Sequence, residues 1–270
     1  MKGRYILAQG QSDAQRLQLM ADVTWSRSRD FLSSQGLSEG CHCLEVGCGM
    51  GHISEKLLEM VGKTGSVTGL DIDAESVQMA QTRLSQHPNV TFHQIDVEAC
   101  DSFDLPKRYD FIYCRLLLVH LKDPLSLLKK LKPLLAPSGQ LIVEDVETEF
   151  SCYPPNVAFS ALCAAAKQLW RLREGYPNLV ESLPRLYQQC QLSVCGLDAA
   201  RHENYELSKK FYLLSLLSMK DAMLSEKVLT EKEFDTLHDS VSHFFDQPYT
   251  LAFKPKYFIV AGKSDTSSSQ

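Results

Sequence analysis

Along the first 150 residues, apolar positions gather in short runs, and the stretches between them carry apolar residues at three- and four-residue spacing. "CHCLEVG" (41–47), "SVTGLDI" (66–72), "NVTFHQID" (89–96), "YDFIYC" (109–114) and "GQLIVEDVE" (139–147) read as strands. The helical pattern appears from His52 through "EKLLEMVG", over "AESVQMAQTRLSQ" (74–86) and over "PLSLLKKLKPLL" (124–135). Strands that alternate with helices build βαβ units, hence an α/β domain with a parallel sheet. Right-handed crossovers then place helices on both faces of it.

After residue 150 the pattern changes. Residues 156–175 are helical and stop at Gly175, 182–190 form a short helix, and 192–199 read as a further strand. Residues 206–247 are mostly helical, with a capping-box pair, Thr230 and Glu233, opening the last piece. "KYFIVAGK" (256–263) is the last strand. The expected organisation is one domain over 1–263. Its core is 36–148 plus the strands near 191–199 and 256–263, and its helical cap comes from 1–35, 150–190 and 206–247. A polar tail, 264–270, is expected to be disordered. Insertions of this kind sit at an end of the sheet and roof a pocket.

Composition narrows the partners. The chain has 270 residues, 44% apolar and 23% charged, with net charge −5. An acidic balance argues against nucleic acid as the main partner, because phosphate binding needs a basic face. No apolar run approaches the ~20 residues of a membrane span. The N-terminus lacks the apolar core of a signal peptide, so the cytoplasm is the expected location. Nine scattered cysteines without a CxxC pair suit reduced thiols. A strand through "CHC" (41–43) turns Cys41 and Cys43 to one face and His42 to the other, which reads as buried strand rather than as metal ligands.

In open α/β sheets ligands bind beyond the carboxyl ends of the strands, and chemistry-bearing residues recur there. The turn after the first strand carries Gly47, Gly49 and Gly51. A dinucleotide fingerprint, G-x-G-x-x-G, would need glycine where His52 or Ser54 stands, and no Gly-Lys-Ser/Thr follows for a P-loop. The loop therefore offers close backbone approach without a pyrophosphate signature, or simply a tight turn at positive φ. Asp71 ends the second strand, 20 residues after Gly51, where a carboxylate takes ribose hydroxyls. No basic neighbour accompanies it for a 2′-phosphate, and Asp73 suits the helix cap better. Asp96 ends the third strand, placed either to read an adenine edge or to close a turn.

These stretches resemble a known family. "LEVGCGMG", "GLDID" and "QIDVEA" are similar to the first, acidic-loop and adenine-site motifs of class I S-adenosylmethionine-dependent methyltransferases. "YDFIYCRLLLVHLKDPLSLLKKLKPLLAPSGQLIVED" resembles their fourth strand through their fifth. Looser likeness in "YILAQGQSDAQRLQLMA", "YPPNVAFSALC" and "SLPRLYQQCQLSV" points to the ubiquinone-biosynthesis-like group of small-molecule enzymes. The resemblance implies a Rossmann-like fold, a seven-stranded mostly parallel sheet with an antiparallel last strand. It implies S-adenosyl-L-methionine as cofactor and S-adenosyl-L-homocysteine as product. Carried onto this chain, it gives Glu45 and the backbone at Gly47 to the methionine amino group, with Gly49 and Gly51 admitting the main chain. It gives Asp71 to the ribose, Ile72, Asp96 and Val97 to the adenine, and Arg115 to the methionine portion. His52 would line the cofactor edge, and Tyr5 and Arg16 of an N-terminal helix would close over it.

The implied activity is methyl transfer to a small-molecule acceptor. A non-catalytic cofactor-binding partner and a protein methyltransferase of the same fold are the alternatives. His120, just past the fourth strand, is the candidate general base, or a histidine packed under the cofactor cover. The position after that strand reads "CRLLL" rather than the Pro-Pro-Tyr type motif of nucleic-acid amino-methyltransferases. Glu144 and Asp145 end the fifth strand, but no metal is expected. Tyr153, Trp170, Tyr176, Tyr212, Phe244, Phe245 and Tyr249 are either acceptor-pocket residues or core. Oligomeric state is open, a homodimer included.

Overall fold

The apolar runs form the sheet expected of them in a computed structural model that describes residues 7, 14–105, 108–147, 150–176, 179–200, 205–253 and 257–264. The strands are β1 (His42–Val46), β2 (Ser66–Asp71), β3 (Val90–Gln94), β4 (Tyr109–Arg115), β5 (Leu135–Val146), β6 (Ser151–Tyr153), β7 (Leu192–Ala200), β8 (Leu251–Phe253) and β9 (Tyr257–Ser264). Seven of them make one sheet in the order β3-β2-β1-β4-β5-β9-β7. β1 pairs in parallel with β2 and β4, as do β2 with β3 and β4 with β5. β9, last in the chain, runs antiparallel between β5 and β7. The mostly parallel sheet with an antiparallel last strand is thus as expected. Strand order reverses between β1 and β4, the switch point at which such sheets hold ligands.

The helices are α1 (Ala14–Ser34), α2 (His52–Val61), α3 (Ala74–Arg83), α4 (Pro124–Leu131), α5 (Val157–Leu172), α6 (Leu179–Gln189), α7 (Tyr205–Ser218), α8 (Lys220–Ser225) and α9 (Glu231–Phe245). Period-two alternation turns Leu44, Val46 and Ile112 to one face of the sheet, where α4 and α6 cover them with Leu127, Leu128 and Leu183. Cys43, Val67 and Phe111 face the other way, onto Trp25 of α1, Leu57 of α2 and Val77 of α3. A third apolar core lies within the cap, where Phe159 of α5, Phe211 of α7 and Phe234 of α9 meet Ala252 of β8.

Helix starts follow their caps. Asp73 accepts from Ser76 N–H at 2.9 Å to open α3, and Asp123 accepts from Ser126 N–H at 3.0 Å ahead of Pro124 in α4. Thr230 and Glu233 form the reciprocal box of α9. The N-terminal helix is tied down over the sheet: Arg27 forks onto both oxygens of Asp198 in β7 at 2.5 Å. Among the described residues no helix is long and apolar enough to cross a membrane. Tyr5 and the tail from 265 onward lie outside the described residues.

One feature departs from expectation. β6 and β8 pair as a separate antiparallel ribbon, Ser151 opposite Phe253 through Tyr153 opposite Leu251. The stretch 206–247 is mostly helical as expected, divided into α7, α8 and α9.

Candidate active site

The chain leaves β1 through three left-handed glycines, Gly47 (φ 80°), Gly49 (φ 51°) and Gly51 (φ 76°). The N–H groups of Gly47 and Cys48 donate to the Leu70 carbonyl at 2.7 and 2.9 Å, folding the turn against β2. Gly49 N–H donates to Asp71 Oδ2 at 2.7 Å, and Asp73 N–H to Asp71 Oδ1 at 2.9 Å. Burial pushes the Asp71 carboxyl up, and the backbone N–H bonds pull it back down. Each oxygen keeps a lone pair for a hydroxyl donor.

The three glycines are not equivalent. A Cβ on Gly51 would sit 3.0 Å from Cβ of Ala80, and one on Gly47 3.2 Å from Leu117 Cδ1. A Cβ on Gly49 would meet no protein atom within 4 Å. Gly51 is therefore required by packing, while Gly49 faces open space. Ile72, half exposed at the end of β2, sets an apolar side chain beside it. Open backbone, a hydroxyl-accepting carboxylate and an apolar flank in sequence fit the methionine, ribose and adenine parts of S-adenosylmethionine.

Glu45 lies beneath the turn, 2% exposed, and accepts from Ser54 Oγ at 2.5 Å. Burial raises its carboxyl to about 8 against the opposing pull of Ser54 and Arg115. Asp96 Oδ1 accepts from Glu98 and Ala99 N–H at 2.9 and 3.2 Å, so this oxygen closes the turn after β3. The Val97 side chain is buried, and its carbonyl accepts from Lys130 Nζ at 2.6 Å.

Two of the expected site residues also have protein partners of their own. The Arg115 guanidinium, expected at the methionine portion, pairs with Glu144 at 3.3 Å and donates to Thr24 Oγ1 of α1, while Tyr113 Oη donates to the same Glu144. A buried guanidinium must satisfy its charge, and this one does so by bracing α1 against β4 and β5. His52, expected at the cofactor edge, lines a wide groove of about 990 Å³ between α1 and α3 with Gln18, Asp22 and Arg83. Burial, then Arg83, lowers its imidazole to about 4.

Past β4, Leu116 holds a left-handed conformation (φ 51°), a strained state for a branched side chain. It opens onto a cavity of about 80 Å³ shared by Arg16 of α1, His120, Trp170 of α5, Tyr212 of α7 and Tyr257 of β9. His120 sits in the 3₁₀ turn Leu118–His120, held by Asp145, whose Oδ2 accepts from Val119 N–H at 3.1 Å. Burial raises Asp145 to about 7. The His120 ring stacks on Trp170 at 6.2 Å between centroids, Trp170 on Phe150 at 6.3 Å, and Phe150 meets Tyr212 edge-on at 5.5 Å. Burial, then the Arg16 charge, lowers His120 to about 3, so its imidazole is neutral at physiological pH.

Of the aromatics singled out in the sequence, Trp170 and Tyr212 reach this cavity, Phe245 packs in the cap core, and Tyr153 and Tyr249 are exposed. Phe150, Ser215 and Tyr257 also line it, and no motif marked them. Glu144 and Asp145 serve as internal braces, and among the described residues no group of three or more His, Cys, Asp or Glu is placed to hold a metal ion.

Solved structures share the architecture. A Bacillus halodurans chain assigned as a methyltransferase superposes with TM-score 0.58 at 16% identity, covering 89% of this chain and 100% of that one. The Haemonchus contortus phosphoethanolamine N-methyltransferase 2, crystallised with S-adenosyl-L-methionine, gives 0.57 at 15%, covering 94% and 57%. The fold is that of the class I S-adenosylmethionine-dependent methyltransferases. Residues 37–207 match the methyltransferase-domain family, and the chain belongs to it. It is 31% identical over 125 residues to the ubiquinone biosynthesis O-methyltransferase of Coxiella burnetii, 46% of this chain and 51% of that protein. With the Pseudomonas fluorescens enzyme of the same name it is 30% identical over 115 residues, 42% and 48%. The chain spans about half the length of these curated relatives.

Proposed function

We propose that this chain transfers a methyl group from S-adenosylmethionine to a small-molecule acceptor in the cavity of His120. The carrying observation is that cavity itself. It opens off Leu116 at the carboxyl end of β4, beside the strand that carries the glycine turn, and helices of the cap enclose it. Glu45 and the backbone at Gly47 and Gly49 would hold the methionine end, Asp71 the ribose, and Ile72 with Val97 N–H the adenine. The bound sulfonium supplies an activated methyl group. The chain supplies position, water exclusion by the aromatic wall, and a neutral imidazole. His120 takes the proton of a hydroxyl acceptor at an unprotonated ring nitrogen.

Calorimetry with S-adenosylhomocysteine, followed by label transfer from methyl-labelled cofactor to a metabolite panel, tests this reading. Binding plus labelled small molecules supports it. Absence of product binding overturns it, label on a co-purifying protein favours a protein substrate, and binding without transfer favours a non-catalytic partner.

A further inference from the structure

Among the described residues, Nε1 of Trp170 and Oγ of Ser215, both in the wall of the His120 cavity, have no hydrogen-bond partner. The two residues are 4% and 8% exposed and come from different helices, α5 and α7. Buried polar groups are normally paired, and an unmade bond is costly to keep. Tyr212 Oη, in the same wall, is committed, donating to the Phe253 carbonyl at 2.5 Å. Ser215, in mid-helix, does not use the carbonyl one turn back that helical serines commonly take.

The chemistry of the pair restricts what satisfies it. An indole N–H donates only, so its partner must bring a lone pair. Serine adapts to either role. The rest of the wall favours a flat molecule, because Phe150, Trp170 and His120 form a run of near-parallel rings, 14° and 28° between neighbours. No aspartate or glutamate is among the described residues of the lining, while Arg16 is, so a protonated amine meets no counter-charge there. Size also restricts the ligand. The cavity measures about 80 Å³, against the roughly 150 Å³ of a cavity that admits benzene. This volume favours a single ring over a ring that carries a prenyl chain.

We propose that Trp170 and Ser215 select the methyl acceptor, and that this acceptor is a planar molecule of at most one ring bearing a carbonyl or carboxylate oxygen that Trp170 Nε1–H and Ser215 Oγ hold. The assignment of an acceptor rests on the methyltransferase reading above. The occupancy of the cavity does not depend on turnover and is tested apart from it.

Protein grown with 5-fluorotryptophan has one fluorine resonance for each of its two tryptophans. Trp25, in the core layer under α1, serves as the internal control. 4-Hydroxybenzaldehyde, 4-hydroxybenzylamine and a geranylated phenol are titrated in turn, alongside calorimetry with S-adenosylhomocysteine. The expected result is that the aldehyde moves the Trp170 resonance and leaves Trp25 in place, while the amine and the geranylated phenol bind more weakly. Trp170→Phe and Ser215→Ala each weaken aldehyde binding about three- to tenfold, the loss of one hydrogen bond. Their affinity for S-adenosylhomocysteine stays at the wild-type value, which also shows that they fold. The proposal is overturned if the Trp170 resonance ignores the aldehyde, if the amine or the geranylated phenol binds better, or if both variants bind the aldehyde as the wild type does. A moving Trp170 resonance without S-adenosylhomocysteine binding would sink the methyltransferase reading and support the occupant named here. The opposite pattern would do the reverse.

Discussion

Gly49 and Asp71 are joined by a hydrogen bond of 2.7 Å from backbone N–H to carboxylate, which fastens the glycine turn after β1 to the end of β2. The carboxylate shapes the turn, and on the proposed function its remaining lone pairs take the ribose hydroxyls.

Asp71→Ala removes both roles. Affinity for S-adenosylhomocysteine should fall by about 1–3 kcal/mol, the range for losing bonds to a charged group. Asp71→Asn keeps one acceptor oxygen and should fall in between. Calorimetry measures both, and wild-type affinity in Asp71→Ala would remove Asp71 from the ribose role.

The buried carboxyls predict how stability changes with pH. Glu45, raised from 4.5 to about 8, and Asp145, raised from 3.8 to about 7, hold protons in the folded state that the unfolded chain has released. Each contribution is fully present below the unfolded value and is lost as pH rises through the folded one. His120 and His52, lowered to about 3 and about 4, act the opposite way, but only up to their unfolded value of 6.5. Between pH 6.5 and 8 only the falling contributions of these four groups remain. Unfolding free energy should drop there by up to about 1.4 kcal/mol per pH unit for each proton released. Urea unfolding at the two ends of that window should show a smaller drop in Glu45→Gln. An unchanged slope in that variant would place the proton elsewhere.

The Arg115–Glu144 pair is buried on both sides, so removing one partner strands a charge. Arg115→Met or Glu144→Gln should each cost about 3–5 kcal/mol by denaturant unfolding, and the double variant less than the sum. Strict additivity would mean that the pair is not coupled. Since Arg115 also donates to Thr24, the single variants should loosen α1 first, seen as faster amide exchange across that helix.

How legible each feature was in the sequence follows from how local its signal is. The central strands β1, β2, β4 and β5 were readable because buried parallel strands are largely continuous apolar runs. β6 and β8 were not, since each is three residues long and its partner lies about a hundred residues away in the chain. The break of the 206–247 helix at Met219 carries no proline or glycine to announce it. At the site, the glycine turn and Asp71 stood out because consecutive residues make them. The cavity wall did not, because Trp170 facing a cavity and Phe245 facing the core share the same helical spacing. Arg115 was legible as a residue at a strand end, but its partner on α1 was not.

His120 should matter to turnover and not to cofactor binding. His120→Gln keeps a hydrogen-bonding side chain but cannot take a proton. With a hydroxyl acceptor, kcat should fall by about 10²–10⁴-fold while S-adenosylhomocysteine affinity is unchanged. Because its imidazole is lowered to about 3, His120 should not produce an acid limb in kcat near 6.5. A limb at that pH that disappears in His120→Gln would show that the ring is protonated during turnover.

Gly49 and Gly51 separate the ligand from the fold within one turn. Both have positive φ, so alanine at either carries a left-handed strain of about 1–2 kcal/mol. At Gly51 the added methyl also meets Ala80 at 3.0 Å and Phe92 at 3.5 Å, wedging α2 from α3 and β3. At Gly49 it enters space free of protein atoms. Gly51→Ala should therefore lose more stability in denaturant unfolding than Gly49→Ala. Gly49→Ala should lose more affinity for S-adenosylhomocysteine than its own stability loss accounts for, because its methyl stands where the ligand must approach the backbone. If instead Gly49→Ala binds the product as the wild type does, the open side of Gly49 is not the ligand face, and the glycine turn is there for packing alone.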